Sequence, residues 1–479
     1  MTLKRIFLRL VLVVLISGIH SYEIPQATLV AFKPRGFQVS IPDSDGVQIF
    51  AFHGNVNKEM ANREAGEMSV DILRPKNGRW VYENPRIRLK VGDVINYWLY
   101  VQVDGLGYPK DDLTWKVTEL VDKDSSQATT PSTPTPGKCE LSHTTVNGVR
   151  KCENELVFEE TFDNLQRPKW ENVVQFGGDP GYPFVLYTNK DDNCFVRNGF
   201  LHIKPTLQSD DDVTSGAQHL SGCTGTPNSE ECTKRAAGGF YLPPVFSAQL
   251  RTKQSFSFCY GKVEIKAKLP VGDWIFSELL LQPKELAYGS KPKLTSGQIN
   301  LALLRGNKDL VSNGQQIGAK CLHGVCELAM NDVCHREDFN ETRQSLWSGA
   351  FHVYGATWTP DYIAFTVDGS EIGRVVPPRG GLHTVSEFSS FPSNPWATGT
   401  KLAPFDKEFY IGLGLGVGGF TEFPDDSTSG SYRKPWKNGE AKAIAKFWNK
   451  QSEWYPTWND ADSTLQVDYV RVWALPKNP

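Results

Sequence analysis

A stretch rich in Ser, Thr and Pro, SSQATTPSTPTPG at residues 125–137, divides this chain into two parts. Such a composition offers almost no apolar side chains with which to bury a core, so we expect an extended spacer. The sequence therefore predicts an N-terminal domain at 22–121, a linker at 122–138 and a C-terminal domain at 139–479.

Both parts contain short β-rich runs separated by Pro, Gly and Asp. VINYWLYVQV (94–103) in the first part and LQVDYVRVWAL (465–475) in the second alternate apolar and polar residues in the manner of half-buried strands. Helical periodicity is nearly absent, with AKAIAKFWNK (441–450) as the main exception. The sequence predicts an all-β protein, in which an immunoglobulin-like sandwich of about a hundred residues precedes a large antiparallel sandwich.

The first 21 residues have the pattern of a secretory signal. Lys4, Arg5 and Arg9 precede an apolar run at 10–16, which small residues follow. The run is far shorter than the roughly 20 residues of a membrane span, so we do not expect an anchor. We predict cleavage after Ser21 and a secreted, extracellular protein.

Nine cysteines all follow the first predicted domain, at positions 139, 152, 194, 223, 232, 259, 321, 326 and 334. In an oxidising compartment most should form disulfides, and the odd number leaves at least one over. Zinc binding by Cys321, Cys326 and Cys334 is disfavoured for the same reason, and we predict no metal site and no cofactor. Asn340-Glu341-Thr342 is an acceptor for N-glycosylation, which predicts a surface position.

Charge and aromatic content favour a neutral ligand. The net charge is −3 with 22% charged residues, which gives no overall field for nucleic acid or an anionic membrane. Between residues 22 and 118, twelve Lys and Arg balance twelve Asp and Glu. Basic residues interleave there with Trp80 and Tyr82, an arrangement that suits a polyhydroxylated neutral chain, although each ring also suits ordinary core packing.

The segment SGQINLALLRGN (296–307) is laid out as a turn, a strand and a turn, yet it contains no carboxylate. Gln298, Asn300 and Ala302 share one face of the strand. One extra residue bulging out near Ala302 would return Leu303 to that face. Gln298 and Asn300 are uncharged isosteres of Glu and Asp, so neither can donate a proton as an acid or attack as a carboxylate.

Longer motifs carry a resemblance to a known family. YGKVEIKAKLPVGDW, the 296–307 frame, FHVYGATWTPDYIAFTVDG and LGVGG resemble the laminarinase-like β-1,3-glucanases, which are jelly-roll glycoside hydrolases. YEIPQATLVAFKPRGFQVSIPD, FHGNVN, NGRWVY and DGLGY resemble the glucan-binding domain of arthropod β-1,3-glucan recognition proteins, also called Gram-negative bacteria-binding proteins. The order of the two parts around a Ser/Thr/Pro linker resembles that family along essentially the whole chain.

The resemblance implies that the C-terminal domain is not an enzyme. Active glucanases carry Ser-Gly-Glu-x-Asp-x-x-Glu here, which places Gln298 at the nucleophile, Asn300 at the supporting Asp and Leu303 at the acid/base. Retaining glycosidases need two carboxyl groups about 5 Å apart, and both are absent from these positions. Phe276 and Leu280 also stand where the active family has tryptophans, which weakens sugar stacking in the cleft.

The function that the resemblance implies is recognition of β-1,3-glucan on fungal or bacterial surfaces. Ligand-bound protein would self-associate on the glucan and activate extracellular serine proteases that lead to prophenoloxidase or Toll signalling. We predict contacts from Trp80 and Tyr82 as stacking platforms and from Arg79, Arg88, Asp45 and Asp71 as hydrogen-bonding partners. Trp98 and Tyr100 are further candidates, because strand alternation does not say which face of a sandwich is open.

Two alternatives remain open at this point. Strand parity along Trp274-x-Phe276-x-Glu278-x-Leu280 places Glu278 on the face that should line the cleft, so a displaced carboxylate could support weak glucanase activity. A lone acid has no partner for double displacement, however. A lectin-like role towards lipopolysaccharide or lipoteichoic acid is the other alternative, and balanced charge neither supports nor excludes it.

Overall fold

The computed structural model describes residues 22–122, except 23, 34, 45, 61–62, 77–78 and 86, and residues 139–477, except 166–167 and 390. The predicted signal sequence, Asp45 and residues 123–138 of the predicted linker lie outside the described residues. By its internal contacts the chain forms two compact units, 1–135 and 136–479. The exact domain bounds stay a prediction, although Asp122 belongs to a strand rather than to the spacer.

The N-terminal unit is a β-sandwich of two four-stranded sheets, as predicted. One sheet has the strand order β5-β2-β1-β8 and the other has the order β4-β3-β6-β7. The strands are β1 Thr28–Lys33, β2 Phe37–Pro42, β3 Val47–Val56, β4 Met68–Ile72, β5 Arg79–Asn84, β6 Val94–Val103, β7 Leu106–Lys116 and β8 Val121–Asp122.

The core of this sandwich follows from the alternation in its sequence. Along β6, Ile95, Leu99 and Val101 are buried and belong to one apolar cluster with residues of both sheets. Trp98 and Tyr100 alternate with them and are only half-buried. Because successive side chains of a strand point to opposite faces, β6 presents two aromatic rings on the outer side of its sheet.

The C-terminal unit is again built of strands. In chain order they are β9 Leu141–Val146, β10 Val149–Cys152, β11 Leu156–Glu160, β12 Glu171–Asn172, β13 Gln175–Phe176, β14 Val185–Tyr187, β15 Cys194–Arg197, β16 Phe200–Ile203, β17 Thr206–Leu207, β18 Ala217–His219, β19 Thr233–Arg235, β20 Val245–Ser247, β21 Gln249–Arg251, β22 Phe258–Cys259, β23 Gly261–Lys268, β24 Ile275–Pro283, β25 Gln298–Leu304, β26 Leu310–Ser312, β27 Gln315–Gln316, β28 Cys321–Met330, β29 Val333–Thr342, β30 His352–Trp358, β31 Ile363–Val367, β32 Ser370–Val375, β33 Phe409–Val417, β34 Thr428–Ser429, β35 Tyr432–Arg433 and β36 Leu465–Trp473.

Short helices connect some of these strands. They are α1 Asp210–Ser215, α2 Ala443–Trp448 and α3 Gln451–Trp454, with 3-10 turns at Lys293–Ser296, Trp347–Gly349, Leu382–Thr384, Pro395–Thr398 and Tyr455–Thr457. The second helix lies within the one segment that the sequence singles out as helical. Within the described residues, no helix combines the length and the apolar character that a membrane crossing requires.

Two large sheets form the predicted jelly-roll sandwich of this unit. A ten-stranded sheet has the main order β10-β9-β22-β33-β24-β25-β28-β29, with β12 and β21 attached beside β33. An eight-stranded sheet has the main order β15-β16-β36-β23-β30-β31-β32, with β11 attached to β36. Leu279 and Leu413 of the first sheet and Ile265 and Tyr354 of the second are buried in one apolar cluster, so the core lies between the sheets.

Glycines of β33 make room on the other face of the ten-stranded sheet. Gly414 pairs with Glu278 and Gly416 pairs with Phe276 across the β24–β33 ladder. A Cβ added at Gly414 would lie 2.4 Å from Glu278 Oε2, and one added at Gly416 would lie 2.2 Å from the Phe276 ring. Both distances are far inside van der Waals contact, so these side chains can lie flat only over glycine.

The expectation that most cysteines pair is wrong in this structure. Cys139–Cys152 and Cys223–Cys232 form disulfides, which accounts for four of the nine. Cys321 and Cys326 lie five residues apart on β28, so their side chains point to opposite faces and cannot meet. Within the described residues, no group of three or more His, Cys, Asp or Glu is arranged to hold a metal ion.

Candidate functional site

A β-bulge shapes the strand that lacks carboxylates. Asn300 pairs with Val325 of β28, whereas Leu303 pairs with His323, so three residues of β25 span two of β28. This register shift is the bulge near Ala302 on which the position of Leu303 depends, and it returns Leu303 to the face that holds Gln298 and Asn300. Leu303 is only 1% exposed.

Neutral amides occupy this part of the sheet face. Gln298 Oε1 accepts a hydrogen bond from Gln282 Nε2 at 2.8 Å, and Gln298 Nε2 donates to Glu327 Oε2 at 3.3 Å. Asn300 Oδ1 accepts from the Ala302 backbone N–H at 3.3 Å. Amides can donate and accept hydrogen bonds with hydroxyl groups, but they supply neither the acid nor the anionic nucleophile of glycoside hydrolysis.

A cavity of about 490 Å³ lies over this floor, and Gln298, Asn300 and Glu278 line it. The position of Glu278 confirms what strand parity predicts. Its Oε1 accepts a hydrogen bond from Tyr187 Oη at 2.7 Å, and its Oε2 accepts one from Gln249 Nε2 at 2.9 Å. Burial raises the pKa of Glu278 to about 7, although these two hydrogen bonds act in the opposite direction.

A buried ion network adjoins the amides. Arg336 Nη1 lies 2.7 Å from Glu327 Oε1, and Arg336 Nη2 lies 3.3 Å from Glu422 Oε2. Arg305 Nε donates to the Glu422 backbone carbonyl, and Arg305 Nη1 lies 3.0 Å from His323 Nε2. Burial alone would raise the pKa of Glu422, but the charges of Arg336 and Arg305 lower it. Glu422 is therefore held as an anion.

Sequence reasoning misses most of this network. Glu327 could have been found by parity, because it lies four residues after His323 on β28 and shares its face. Arg336 and Glu422 come from β29 and from the segment after β33, and nothing local in the sequence brings these segments together.

Trp80 of the N-terminal unit does not have the predicted exposure. It is 2% exposed and belongs to the sandwich core, and its Nε1–H donates to Asp43 Oδ1 at 2.7 Å. The prediction that Trp80 stacks on sugar is wrong in this structure, because neither ring face is open. Its polar edge is satisfied inside the protein, which is how buried indoles are commonly accommodated.

The other predicted residues on and near β5 are divided between core and surface. Tyr82 is half-buried against the core, where its ring stacks on Phe52 with centroids 5.7 Å apart. Arg79 on the opposite side of β5 donates to Ser40 Oγ at 3.0 Å, and Arg88 is exposed. Trp80, Tyr82 and Arg79 therefore do not form one open groove.

Asp71 instead shares a surface with the further candidates. The surface, called the outer face below, comprises His53, Ser69, Asp71, Trp98 and Tyr100. Register places His53 beside both Ser69 and Trp98, and it places Ala51 beside both Asp71 and Tyr100. The rings of His53 and Trp98 stack 4.1 Å apart at 9°, and Trp98 Nε1–H donates to the Glu64 carbonyl at 2.8 Å. The outer face thus presents fixed aromatic area beside polar groups.

The predicted glycosylation residue lies on the surface of the C-terminal unit. Asn340 is exposed, but it belongs to strand β29 at the edge of the ten-stranded sheet rather than to a loop. Its glycosylation stays a prediction.

Comparisons with known proteins match this chain over nearly its whole length. Residues 23–135 match the family CBM39, described as "Carbohydrate binding domain (family 32)". Beta-1,3-glucan-binding protein 1 of Manduca sexta is 37% identical, with 99% of this chain and 100% of that protein covered. The beta-1,3-glucan-binding protein of Hyphantria cunea is 40% identical, with 95% and 96% covered.

This chain is also similar to a Gram-negative bacteria-binding protein and to a laminarinase of known structure. Gram-negative bacteria-binding protein 3 of Drosophila melanogaster is 34% identical, with 97% of both chains covered. The laminarinase from Rhodothermus marinus is similar to 67% of this chain with a TM-score of 0.43 and 22% identity, and 98% of that chain is covered. From the full-length relatives, this chain belongs to the family of β-1,3-glucan-binding proteins and Gram-negative bacteria-binding proteins.

Proposed function

We propose that this protein is a secreted receptor that binds β-1,3-glucan without cleaving it. The observation that carries the proposal is the neutral floor of the C-terminal cavity, where Gln298 and Asn300 stand at two of the positions at which the resemblance implies carboxylates. The third such position is the buried Leu303, beyond the cavity. The cavity is kept open while the groups for hydrolysis are missing from it, a combination that favours binding over turnover.

The relatives support the ligand class. Those from Manduca sexta and Hyphantria cunea are named for β-1,3-glucan binding, and the Drosophila relative is named for binding Gram-negative bacteria. The family that matches residues 23–135 is described as a carbohydrate-binding domain. We extend these names to this chain and assign primary glucan binding to its N-terminal unit.

The outer face is our proposed contact surface on that unit. Trp98 and Tyr100 supply ring area, and Asp71 supplies a carboxylate for sugar hydroxyls. The Trp98 indole is already fixed by His53 and by its hydrogen bond to Glu64, so binding costs little side-chain entropy. Buried Trp80 is not part of this proposed surface. Arg79 and Arg88 lie outside it and are proposed as secondary contacts with glucan.

Replacing Trp98 with alanine should weaken glucan binding by about 2 kcal/mol, because truncating a central aromatic anchor commonly removes that much binding free energy. Isothermal titration of the full chain with soluble β-1,3-glucan measures the change. Trp80→Phe is the matched control, since it alters an aromatic ring that is buried in the core of the sandwich and does not belong to the outer face. Equal losses in both variants would contradict the assignment to the outer face.

The absence of hydrolysis is tested by incubating residues 22–479 with soluble β-1,3-glucan and measuring released reducing ends. We expect no release above buffer from the wild type or from Gln298→Glu, because a nucleophile restored at 298 still lacks a carboxyl at the acid/base position, Leu303, and the two act as a unit. Glu278 is the carboxyl to watch, since its pKa of about 7 suits a general acid. Steady release that Glu278→Gln abolishes would overturn the non-catalytic proposal.

Anionic bacterial glycans are the competing ligand class. Lipopolysaccharide or lipoteichoic acid binding should collapse as salt screens charge, whereas binding of neutral glucan should not. Binding that survives excess soluble glucan but fails at high salt would favour the anionic ligands.

Glucan binding would bring several copies of this protein together. A repeating polysaccharide presents many sites, so bound copies are brought to a high effective concentration and self-associate. We propose that such clusters activate extracellular serine proteases of the prophenoloxidase or Toll pathways. Light scattering that rises as glucan is added and falls again at excess glucan would support clustering. A measured mass that corresponds to one protein molecule bound to each glucan molecule at every ratio would contradict it.

A further inference from the structure

The cavity of the C-terminal unit is bounded at both ends of its floor strands. Gln282 and Gln298 line it towards one end, and Phe276 and Asn300 line it towards the other. Leu303 and His323 continue the same sheet face beyond Asn300, but neither is among the described residues that line the cavity. The groove over this sheet is therefore shorter than the sheet itself.

Glu422 lies at the end of the cavity beyond Asn300, next to Arg305, which directly follows β25. It follows β33 and lines the cavity together with Thr421. Arg336 Nη2 lies 3.3 Å from its carboxylate, and Arg305 Nε donates to its backbone carbonyl. Arg305 is itself buried and Arg336 is only partly exposed, so this segment is anchored to the body of the unit. A sugar chain could continue past Asn300 only by displacing an ion network.

Lys293 bridges two cavity walls at the opposite end. It lies in the connection between β24 and β25, and its Nζ lies 2.6 Å from Glu231 Oε1, in the loop that the Cys223–Cys232 disulfide constrains. The Lys293 backbone N–H also donates to Asp179 Oδ2 at 2.8 Å. Lys293 and Glu231 both line the cavity, so this ion pair joins two of its walls.

The Glu231 carboxylate is well suited to hold that closure. Burial alone would raise its pKa, but the Lys293 ammonium and the Thr226 N–H lower it to about 2. The Glu231 carboxylate is therefore an anion at neutral pH. Glu231 Oε2 also accepts from the Thr226 backbone N–H at 2.7 Å, which fixes the carboxylate within its own loop.

Between the two closures, polar atoms remain available to a ligand. Among the described residues, Asn300 Nδ2 donates no hydrogen bond and Gln249 Oε1 accepts none, although their other amide atoms are engaged. These groups are neutral and suit hydroxyls rather than anions. A volume of about 490 Å³ lies in the range of pockets that enclose a small molecule.

We infer that this cavity receives the terminal sugars of a β-1,3-glucan, either as a free short oligosaccharide or as the end of a polymer, and excludes the middle of a chain. The inference rests on the proposed function, since it takes the same ligand class. A groove closed at both ends has no exit for a chain that enters it, whereas a terminus needs only one opening. The N-terminal unit would then hold the polymer along its length while the cavity reads its ends.

Hydrogen exchange of the full chain tests this, because it reports the two sites separately. The probes are a linear β-1,3-linked trisaccharide and a soluble β-1,3-glucan of known mean length. Peptides covering 222–232 and 284–298 report the cavity, and a peptide covering 94–103 reports the outer face. We expect the two probes to give the same curve when protection of the cavity peptides is plotted against the molar concentration of glucan chain ends. At equal total sugar concentration, the polymer should protect these peptides less than the trisaccharide does, by the ratio of the two chain lengths.

Several outcomes would overturn the inference. Cavity protection that follows total sugar whatever the chain length would mean an open groove. Protection of 94–103 by polymer, with no protection of the cavity peptides by either probe, would remove the cavity as a glucan site and leave the proposed function standing. No protection anywhere would sink both.

Opening one end supplies the second measurement. The double variant Glu231→Ala with Lys293→Ala removes the ion pair that joins two walls, so polymer should gain access by its interior and cavity protection should shift towards dependence on total sugar. Lys450→Ala with Glu453→Ala is the matched control, because it removes a surface ion pair of the same 2.6 Å length. If the opened variant keeps the chain-end dependence of the wild type and of this control, Lys293 and Glu231 do not close the groove.

Discussion

Replacing Arg336 with methionine should lower the free energy of unfolding of the C-terminal unit by about 3–5 kcal/mol, because it leaves buried carboxylates without their cation. Arg336 lies 2.7 Å from Glu327 and 3.3 Å from Glu422, and a third carboxylate, Asp338, is 3.5 Å away. Methionine keeps much of the side-chain volume, so the loss measures charge rather than a cavity. This is the largest stability change that we expect from one substitution beside the cavity.

Native-state hydrogen exchange of β25 and β28 amides is the suitable measurement, since it reports the opening of this unit separately from the other one. Arg374→Met is the matched control. Arg374 pairs with Glu371 at 2.6 Å on the surface, where solvent screens the pair, so its loss should leave exchange in β25 and β28 unchanged.

Removing one carboxylate together with the arginine should recover part of the loss. In Arg336→Met with Glu327→Gln, one fewer anion is left buried, so the double variant should be more stable than Arg336→Met alone. If the double variant is less stable than Arg336→Met alone, then Glu327 stabilises the unit by an interaction other than its ion pair with Arg336.

The fold could be predicted because its determinants are local. Alternation along 94–103 and 465–475 gives strands with one buried face, and the bulge near Ala302 follows from the need to return Leu303 to its face. The floor of the cavity was also accessible, since Gln298, Asn300 and Glu278 lie on two strands whose parity can be read from the sequence. In each of these cases, the informative pattern lies within a single strand and can be read from a few consecutive residues.

The walls of the cavity and the surface of the N-terminal unit could not be predicted in the same way. Glu422 reaches Arg336 over 86 residues, and Lys293 reaches Glu231 over 62. Trp80 stands between Arg79 and Val81, and Trp98 stands between Tyr97 and Leu99. Both rings have large apolar neighbours in a strand, so a local pattern cannot tell which ring the second sheet covers. Packing between the two sheets buries Trp80, and for this reason Trp80 cannot stack on a sugar as the sequence predicts.

The final expected result concerns Glu278, whose carboxyl is held in a site that disfavours its charge. Glu278→Gln should stabilise the C-terminal unit above pH 7 and should have little effect near pH 4.5. The folded pKa of about 7 lies above the ordinary value of 4.5, so the folded state binds the proton more tightly than the unfolded state. The wild type therefore loses stability as pH rises from 4.5 through 7, and a shift of this size corresponds to about 3 kcal/mol.

Glutamine cannot titrate, and it can keep hydrogen bonds to Tyr187 and Gln249 with its own amide. The variant should thus escape the loss, and hydrogen exchange of β24 at pH 5 and pH 8 measures the difference. Glu371→Gln is the control, because hydrogen bonding by Arg374 lowers the pKa of that carboxyl and its replacement should bring no gain at pH 8. Equal stability of Glu278→Gln and wild type at pH 8 would mean that Tyr187 and Gln249 fully offset the burial of the anion. A gain would mean that the chain carries an ionisable group in its cavity at the expense of stability, as expected of a residue kept for ligand contact rather than for folding.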